Sequence, residues 1–257
     1  MMKESWNSCA KQMTDDVYAL RCHAQMASSG VEKFARELAL VLDIDPDINY
    51  QRAALKKMGR IMEKARNKYE GDVRSICDIA RGRILFDDPD QIHTLRSMMK
   101  AGKKTHPFIQ KWAERGIYLV HFEDCFENPK SSGYVGINMK LSIDLGKGRH
   151  HICELQLMHR DMVHTDMESR RLYERIRLVT DQAQAQGREL TDQEQKRVGT
   201  MQKENRALYA QAISRCDLFG LMPDTGHVHA GKNDNAPART QDEDLPHRPS
   251  GPGAHVA

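Results

Sequence analysis

Apolar residues recur along the chain with two different periods, and together these periods predict a small sheet surrounded by helices. Alternation of apolar and polar residues, typical of half-buried strands, predicts strands over residues 83–86, 116–124, 134–144 and 150–157. The last two are joined by the glycine-rich segment LGKGR, which indicates a hairpin. Four or five strands between helices favour a mixed α/β (α+β) class with an antiparallel element in the sheet.

Helical spacing of apolar residues accounts for most of the remaining chain. Two helices are predicted within residues 3–42, separated at the SSG tripeptide of residues 28–30. A basic helix is predicted over about 50–68. Further helices are predicted over residues 88–102, 106–115, 158–186 and 191–215.

Two of these helices carry recognisable start signals. Asp88 followed by Pro89 is typical of a helix N-terminus, and Gly102 is expected to end the same helix. Thr191 and Glu194 have the spacing of a capping box. These side chains are expected to satisfy the first backbone N–H groups of each helix, which have no partner inside it.

The pattern of elements divides the chain into three parts. Residues 1–45 are predicted to form an N-terminal helical segment, and residues 46–220 the domain that carries the sheet and the C-terminal helices. Residues 221–257 are rich in Gly, Pro, Asn, Asp and His, which predicts a disordered tail. The charge-rich helix around residues 188–206 is expected either to be solvated or to face another copy of the chain in a homo-oligomer.

Composition and charge exclude several classes of protein. The formal net charge is only +3, which argues against a general nucleic-acid binder. No run of about 18 apolar residues is present, so no membrane association is expected. The N-terminus lacks the apolar core of a signal peptide, which predicts a cytoplasmic protein. The six cysteines are scattered without a CxxC pair, so we expect reduced thiols rather than disulfides or a zinc site.

Two acidic residues are candidates for a metal-binding or catalytic site. Asp78 comes just before one predicted strand and Glu154 lies inside another, so the two carboxylates are able to meet at one end of a shared sheet. Carboxylate oxygens bind Mg²⁺, and the lysines and arginines of the neighbouring basic helix are suited to nucleotide phosphates. The alternative is that Asp78 caps a turn and Glu154 is a solvated strand residue. Spacing alone leaves both interpretations open.

The pattern around Glu154 favours a cleft. Glu154 and Gln156 share one face of their strand, whereas the residues between them are apolar. A polar face on a strand that otherwise looks central is typical of a cleft lining. Lys130 and Tyr134, at the turn before the preceding strand, are candidates for a phosphate contact and a stacking ring. A tyrosine at the start of a strand is also commonly a packing residue, and that alternative stays open.

Three segments, in this order and spacing, resemble the RelA/SpoT-type nucleotide pyrophosphokinases, the alarmone synthetases: CDIARGRILF, ENPKSSGYVGINMKL and CELQLMHRDM. A fourth, SRRLYERIR, is similar to the late H-x-x-YK element of that family. The resemblance covers about residues 50–177. It implies a nucleotidyltransferase-like synthetase fold with a mixed five-stranded sheet, flanked by helices, and helical extensions at both ends.

The resemblance also implies roles for individual residues. Asp78 and Glu154 fall on the Mg²⁺-binding and catalytic acids, and Tyr134 falls on the tyrosine that stacks on the acceptor base. The implied substrate-binding positions are Lys56 and Lys64 on the ATP phosphates, Arg83 on a nucleotide phosphate, Arg81 beside it, and Lys130 and Gln156 as polar groups of the site. Arg52 and Arg83 are the candidates for stacking on adenine.

Several residues depart from the family pattern. The usual serine and histidine after the tyrosine are Gly136 and Asn138, and the histidine before the late tyrosine is Arg170. The arginine and threonine after EIQI are Met158 and His159. These departures concern the acceptor more than the transfer chemistry, because both acids and Tyr134 are present. The sequence also lacks the His-Asp motif of the family's hydrolases.

The implied activity is Mg²⁺-dependent transfer of pyrophosphate from ATP to the ribose 3′-hydroxyl of GDP or GTP, which makes (p)ppGpp. An alternative is a toxin or effector that modifies adenine nucleotides or the 3′ end of tRNA and is neutralised by an antitoxin or immunity protein. A further alternative is a catalytically silent domain that binds nucleotides or a partner protein.

Overall fold

A five-stranded mixed sheet forms the centre of the protein. The computed structural model describes residues 11–101 and 106–223. The strands are β1 (Tyr50–Arg52), β2 (Arg81–Phe86), β3 (Ile117–Asp124), β4 (Ile137–Gly146) and β5 (Arg149–His159). Their order is β1-β2-β5-β4-β3, in which β2 and β5 run parallel and the other neighbouring pairs are antiparallel. The predicted mixed α+β class is confirmed.

Seven α-helices flank the sheet within the described residues. They are α1 (Val17–Val41), α2 (Pro46–Asn49), α3 (Met58–Lys68), α4 (Pro89–Lys100), α5 (Pro107–Glu114), α6 (Met162–Ala185) and α7 (Asp192–Arg215). None of these helices has both the length and the apolar character that crossing a membrane requires. Gly102, and the predicted tail from residue 224 onward, lie outside the described residues.

The SSG tripeptide does not separate two helices, and that prediction is wrong. Helix α1 continues through residues 28–30, where Ser28 and Gly30 each have a packing role. The buried Ser28 hydroxyl donates a hydrogen bond of 2.8 Å to the carbonyl of Ala24, one turn earlier. A Cβ atom at Gly30 would lie 3.0 Å from Ile143 and 3.4 Å from Ile117, so glycine lets the helix approach the sheet closely.

The basic segment at residues 50–68 is only partly helical, which is a second correction. Its first residues form β1, an edge strand paired with β2, and helix α3 begins at Met58. The intervening stretch is held extended because the N–H of Ala53 donates to the backbone carbonyl of Arg81, and the N–H of Lys56 donates to that of Ile79. The fifth strand of the sheet is therefore hidden inside a segment whose composition suits a helix.

The helix starts predicted at Asp88 and Thr191 are confirmed. The Asp88 side chain accepts the N–H of Asp90, and Gln91 completes a capping box. Thr191 and Glu194 form the reciprocal capping box at the start of α7. The helix predicted from residue 158 begins instead at Met162, because β5 continues to His159.

The two faces of the sheet differ in chemistry. One face is apolar along the three central strands, where Ile84, Leu155 and Met139 point the same way as their cross-strand neighbours. Helix α1 packs against β2, β4 and β5 on that face. The opposite face carries the alternate residues of the same strands, many of which are polar. The burial of α1 on one face therefore leaves the other face available for a site.

His151 is a polar residue on the apolar face. It is fully buried, lies opposite Ile143, and has no hydrogen-bond partner for either ring nitrogen. Burial, with a smaller contribution from His23, lowers the pKa of His151 from 6.5 to about 4. The folded state therefore binds this proton more weakly than the unfolded chain does. The free energy of unfolding therefore has its full value above pH 6.5 and decreases as the pH falls towards 4, because the unfolded chain takes up the proton first.

Replacing His151 by leucine is expected to reduce the loss of stability in acid. Between pH 7 and pH 4, the free energy of unfolding of His151→Leu should fall by about 2–3 kcal/mol less than that of the wild type, because no buried imidazole has to be protonated. Urea unfolding followed by circular dichroism at several pH values measures this. His150→Leu, which changes the exposed neighbour, is the control. Parallel pH profiles of His151→Leu and the wild type would contradict the assignment.

Candidate active site

The two acids singled out from the sequence lie side by side at the start of the parallel strand pair. Asp78 belongs to the segment that leads into β2, and Glu154 lies on β5 opposite Arg81. The N–H of Glu154 donates 3.1 Å to the carbonyl of Ala80, two residues after Asp78. The negative charge of Asp78 also raises the pKa of Glu154. The structure therefore brings the two carboxylates together.

Three cations surround the Asp78 carboxylate. Its Oδ2 lies 2.7 Å from Lys56 Nζ, 3.1 Å from Lys64 Nζ and 3.9 Å from Arg81. Burial on its own would raise the pKa of Asp78, but Lys64 and Lys56 outweigh burial and hold that pKa below its ordinary value. The other oxygen, Oδ1, is buried and has no hydrogen-bond partner. Asp78 is thus ionised and keeps one oxygen uncommitted.

Glu154 has the opposite electrostatic character. Burial, and then the negative charge of Asp78, raise the pKa of Glu154 above its ordinary value. The Gln156 amide, two residues further along the same face of β5, donates a hydrogen bond of 2.5 Å to Glu154 Oε1. Two neighbouring carboxylates, one with an uncommitted buried oxygen, form a donor set that fits a divalent cation preferring oxygen ligands, such as Mg²⁺.

A basic cavity of about 530 Å³ opens beside Asp78, between α3 and α6. This volume lies in the range of small-molecule sites. The lining residues that carry positive charge are Lys56, Arg60, Lys64, Lys68 and Arg177. Tyr173, the tyrosine of the SRRLYERIR segment, is more than half exposed and lines the cavity as well. Glu63 and Asp181 also line the cavity and pair with Arg60 and Arg177, so its unbalanced positive charge comes mainly from the lysines. The cavity therefore offers lysine side chains and an aromatic ring next to Asp78.

A row of polar residues crosses the open face of the sheet next to the acids. Arg83 on β2, Gln156 on β5, Asn138 on β4 and Glu123 on β3 lie opposite one another in register. Strand alternation puts this row on the same face as Glu154. Arg52 lies opposite Gly82, on the face of the sheet that α1 covers. Its guanidinium pairs with Glu32 of that helix. The open face therefore does not include Arg52.

Arg83 is held in place by an acid on helix α6. Its guanidinium lies 2.9 Å from Asp166 and 3.4 Å from the Gln156 amide oxygen. Asp166 is buried and also pairs with Arg170 at 3.0 Å. Because Asp166 already balances Arg83, a phosphate at this position would share the guanidinium with a protein carboxylate.

Tyr134 is packed at the end of this row. A tight turn precedes it, in which the N–H of Lys130 donates 3.1 Å to the carbonyl of Tyr134. The Tyr134 hydroxyl donates to Asn138 at 3.3 Å, and its ring makes an edge contact with Tyr209 of α7 at 6.0 Å. Burial raises the pKa of Tyr134 strongly, with Glu154 and Arg83 among the groups that act on it. Tyr134 is therefore a neutral ring held between Asn138 and Tyr209.

Lys130 lies further from the acids, at the β3 side of the row. It forms an ion pair with Glu123, which also accepts a hydrogen bond of 3.1 Å from the Asn138 amide. The candidate residues therefore fall into two neighbouring groups. The first surrounds the acids and consists of Asp78, Glu154, Lys56, Lys64 and Arg81. The second lies along the polar row and consists of Arg83, Gln156 and Tyr134, with Lys130 at its edge.

Sequence reasoning missed several residues of the site. Glu123 could have been found from strand alternation, since it shares a face with Asn138 in the neighbouring strand, which the sequence already marks as a departure from the family pattern. Asp166 and Tyr209 come from helices far away in sequence, and no local pattern indicates that they reach Arg83 and Tyr134.

Gly136 is required by the close approach of Tyr134. Its φ angle is +151°, and a Cβ atom there would lie 2.9 Å from the Tyr134 hydroxyl and 3.0 Å from the carbonyl of Leu157. Gly136→Ala is expected to lower the free energy of unfolding by about 1–3 kcal/mol, because backbone and ring both have to shift. Thermal or urea unfolding measures this difference.

The matched control is Gly59→Ala, in helix α3, where a Cβ atom would meet nothing within 4 Å. That change is expected to stabilise the protein by about 0.5–1 kcal/mol, since alanine favours a helix over glycine. Equal effects of the two substitutions would contradict the close approach described at Gly136.

Comparison with known proteins gives a consistent result at the level of structure. No protein-family profile and no curated protein matches the sequence. The small alarmone synthetase 1 of Bacillus subtilis bound to its product pppGpp is similar over 79% of this chain and 96% of its own, with 17% identity and a TM-score of 0.51. The small alarmone synthetase 2 of Bacillus subtilis is similar over 80% and 97%, with 14% identity and a TM-score of 0.52.

A third solved structure is similar to the same extent. It is the Type VI effector Tas1 in complex with its immunity protein, with 19% identity over 79% of this chain and 99% of the effector, and a TM-score of 0.50. At such identities the comparison concerns the fold. The chain has the fold of the small alarmone synthetases, which is the RelA/SpoT-type synthetase fold that its motifs predict.

Proposed function

We propose that the protein transfers pyrophosphate from ATP to the ribose 3′-hydroxyl of GDP or GTP, in a Mg²⁺-dependent reaction that yields (p)ppGpp. One observation carries this proposal. The ionised Asp78, with an uncommitted buried oxygen, lies beside Glu154 at the mouth of a lysine-lined cavity, on the fold of the small alarmone synthetases. A metal–nucleotide site needs carboxylate oxygens for the ion and cations for the phosphates.

Asp78 and Glu154 would hold the ion. When bound, Mg²⁺ supplies charge neutralisation on the β- and γ-phosphates of ATP. Lys56 and Lys64, which contact Asp78 and line the basic cavity, would transfer their hydrogen bonds to the triphosphate when it binds there. These cations then stabilise the charge that develops on the transferring pyrophosphoryl group.

The reaction forms one bond and breaks one. The acceptor 3′-oxygen attacks the β-phosphorus of ATP, the bond from that phosphorus to the oxygen bridging the α-phosphate breaks, and AMP leaves. Glu154 is the candidate to accept the proton of the attacking hydroxyl, because it lies opposite Arg81, which pairs with Asp78, and accepts a hydrogen bond from Gln156 of the polar row. Tyr134 and the polar row are assigned to the acceptor nucleoside.

A second candidate function keeps the chemistry and changes the acceptor. The similarity to a Type VI effector solved with its immunity protein supports a toxin. The acceptor of such a toxin would be an adenine nucleotide or the 3′ end of tRNA. Gly136 and Asn138, which replace the usual serine and histidine of the family pattern, both contact or approach Tyr134. An immunity protein would be the neutralising partner of such a toxin.

The decisive experiment supplies one donor and several acceptors. The purified protein is incubated with γ-labelled ATP, Mg²⁺ and separately GDP, GTP, ADP, ATP or deacylated tRNA, and the labelled product is resolved by chromatography. Label on GDP or GTP is expected under the first proposal, whereas label on adenine nucleotides or tRNA would favour the second. The absence of label on every acceptor would refute both and favour a silent domain.

Asp78→Asn and Glu154→Gln are each expected to lower the rate of transfer by about a thousandfold or more, because each removes a carboxylate from the ion and the reacting atoms. The same chromatographic assay measures this. Glu37→Gln is the control, since Glu37 pairs with Lys111 and Arg115 away from the site. Near-normal transfer by either site variant would contradict the assignment of the acids.

Tyr134→Ala is expected to affect the acceptor more than the donor. Stacking on an aromatic ring contributes about 1–3 kcal/mol per base, so the acceptor KM should rise by roughly tenfold while ATP binding changes little. Initial rates at varied acceptor, and titration with a non-hydrolysable ATP analogue, separate the two effects. Tyr18→Ala, at an exposed tyrosine of α1, should change neither. Equal losses for both nucleotides would contradict the assignment.

A further inference from the structure

A glutamine from the N-terminal end of the described chain is buried beside the two acids. Residues 11–13, here named the N-terminal strap, precede α1 and lie outside the region that carries the family motifs. Gln12 in this strap is only 3% exposed. Its own N–H donates 2.8 Å to the carbonyl of Arg74, which fixes the strap beside the segment that leads to Asp78.

The Gln12 carboxamide joins two separate backbone segments. Its Nε2 donates 3.0 Å to the carbonyl of Ile76 and 2.8 Å to the carbonyl of Ile152, and its Oε1 accepts the N–H of Ile152 at 3.0 Å. One nitrogen atom therefore holds two carbonyl groups that are 76 positions apart in sequence. Each of these carbonyls belongs to the residue two positions before one of the acids, Asp78 or Glu154.

The topology explains why such a contact is needed. Strands β2 and β5 are paired only from Arg81 and Glu154 onward. Before that point the chain leaves the sheet, so Ile152 keeps its partner Ser142 on β4 but has no strand partner on the side of β2. The carboxamide of Gln12 pairs with both the N–H and the carbonyl of Ile152, as a neighbouring strand would.

From this geometry we infer that Gln12 is a positioning residue for the two acids, which sets their separation and thereby the affinity of the site for a divalent cation. The inference rests on the proposed function only in assigning Asp78 and Glu154 to the ion. Glutamine is suited to this task because it offers two donors and an acceptor at the required reach. Asparagine is shorter by one methylene group, and methionine has a similar length but no N–H.

The test measures metal binding by the full chain without any reaction. Mn²⁺, as a paramagnetic substitute for Mg²⁺, is titrated into the wild type and into Gln12→Met, and free Mn²⁺ is followed by electron paramagnetic resonance. The variant is expected to bind Mn²⁺ roughly tenfold more weakly, which is the usual effect of removing a group that orients metal ligands. Gln12→Asn is expected to lie between the two and carries the test if Gln12→Met fails to fold.

Two controls separate positioning from general stability. Lys11→Gln changes the neighbouring strap residue and removes only its ion pair with Asp72, so Mn²⁺ binding should stay unchanged. Phe34→Leu weakens the packing of α1 against Phe108 and Trp112, and provides a variant with a lowered melting temperature and an intact strap. It should bind Mn²⁺ like the wild type at temperatures where it is folded.

The outcomes distinguish this inference from the proposed function. Unchanged Mn²⁺ affinity in folded Gln12→Met and Gln12→Asn, with metal-dependent transfer by the wild type intact, would overturn the role of Gln12 alone. A weakened affinity in Phe34→Leu equal to that in Gln12→Met would overturn it as well, because loss of stability would then be the cause. A wild type that binds no Mn²⁺ and transfers no label would overturn both proposals together.

Discussion

The mutual repulsion of two buried carboxylates is the constraint on which the rest of this structure depends. Asp78 and Glu154 lie close together at the start of the β2–β5 pair, and burial penalises the charged form of each. The two carboxylates respond differently to this penalty. Lys56 and Lys64 keep Asp78 ionised, whereas Glu154, with a glutamine amide as its hydrogen-bond partner, has a raised pKa. A pair of acids with opposite pKa shifts is typical of sites where the two groups have different tasks.

The sheet supports this arrangement because its two faces are used differently. Helix α1 covers the apolar face, and its close approach at Gly30 leaves little freedom on that side. The parallel pairing of β2 and β5 places the segments carrying Asp78 and Glu154 at the same end. The basic helix α3 and the long helix α6 then enclose the cavity next to Asp78. Cations and acids thus come from separate elements that the sheet holds in register.

Structural features that depend on a short local pattern of residues could be predicted from the sequence. Capping residues such as Asp88 and Thr191 mark helix starts because their bonds span three or four residues. Strand β1 was not recognised, since three residues inside a basic segment carry too little alternation to indicate a strand. The SSG tripeptide was misread because small residues serve both chain breaks and close packing. Gln12 and Asp166 act through contacts with partners about 60 to 140 positions away, which no short window of sequence contains.

The residues proposed to face the acceptor depart more from the family pattern than those proposed to face the donor. The departures are linked by direct contacts. Gly136 leaves room for the Tyr134 hydroxyl, which bonds to Asn138, and Asn138 in turn bonds to Glu123. These residues form one connected network, so a serine at position 136 would displace the ring unless its surroundings changed with it. Tyr209 of α7 supports the same ring from a helix that carries none of the family motifs. Under the proposed function, the choice of acceptor nucleoside would therefore depend on a group of mutually dependent contacts around Tyr134, whereas the acids and lysines proposed to act on the phosphates would be insensitive to the acceptor base.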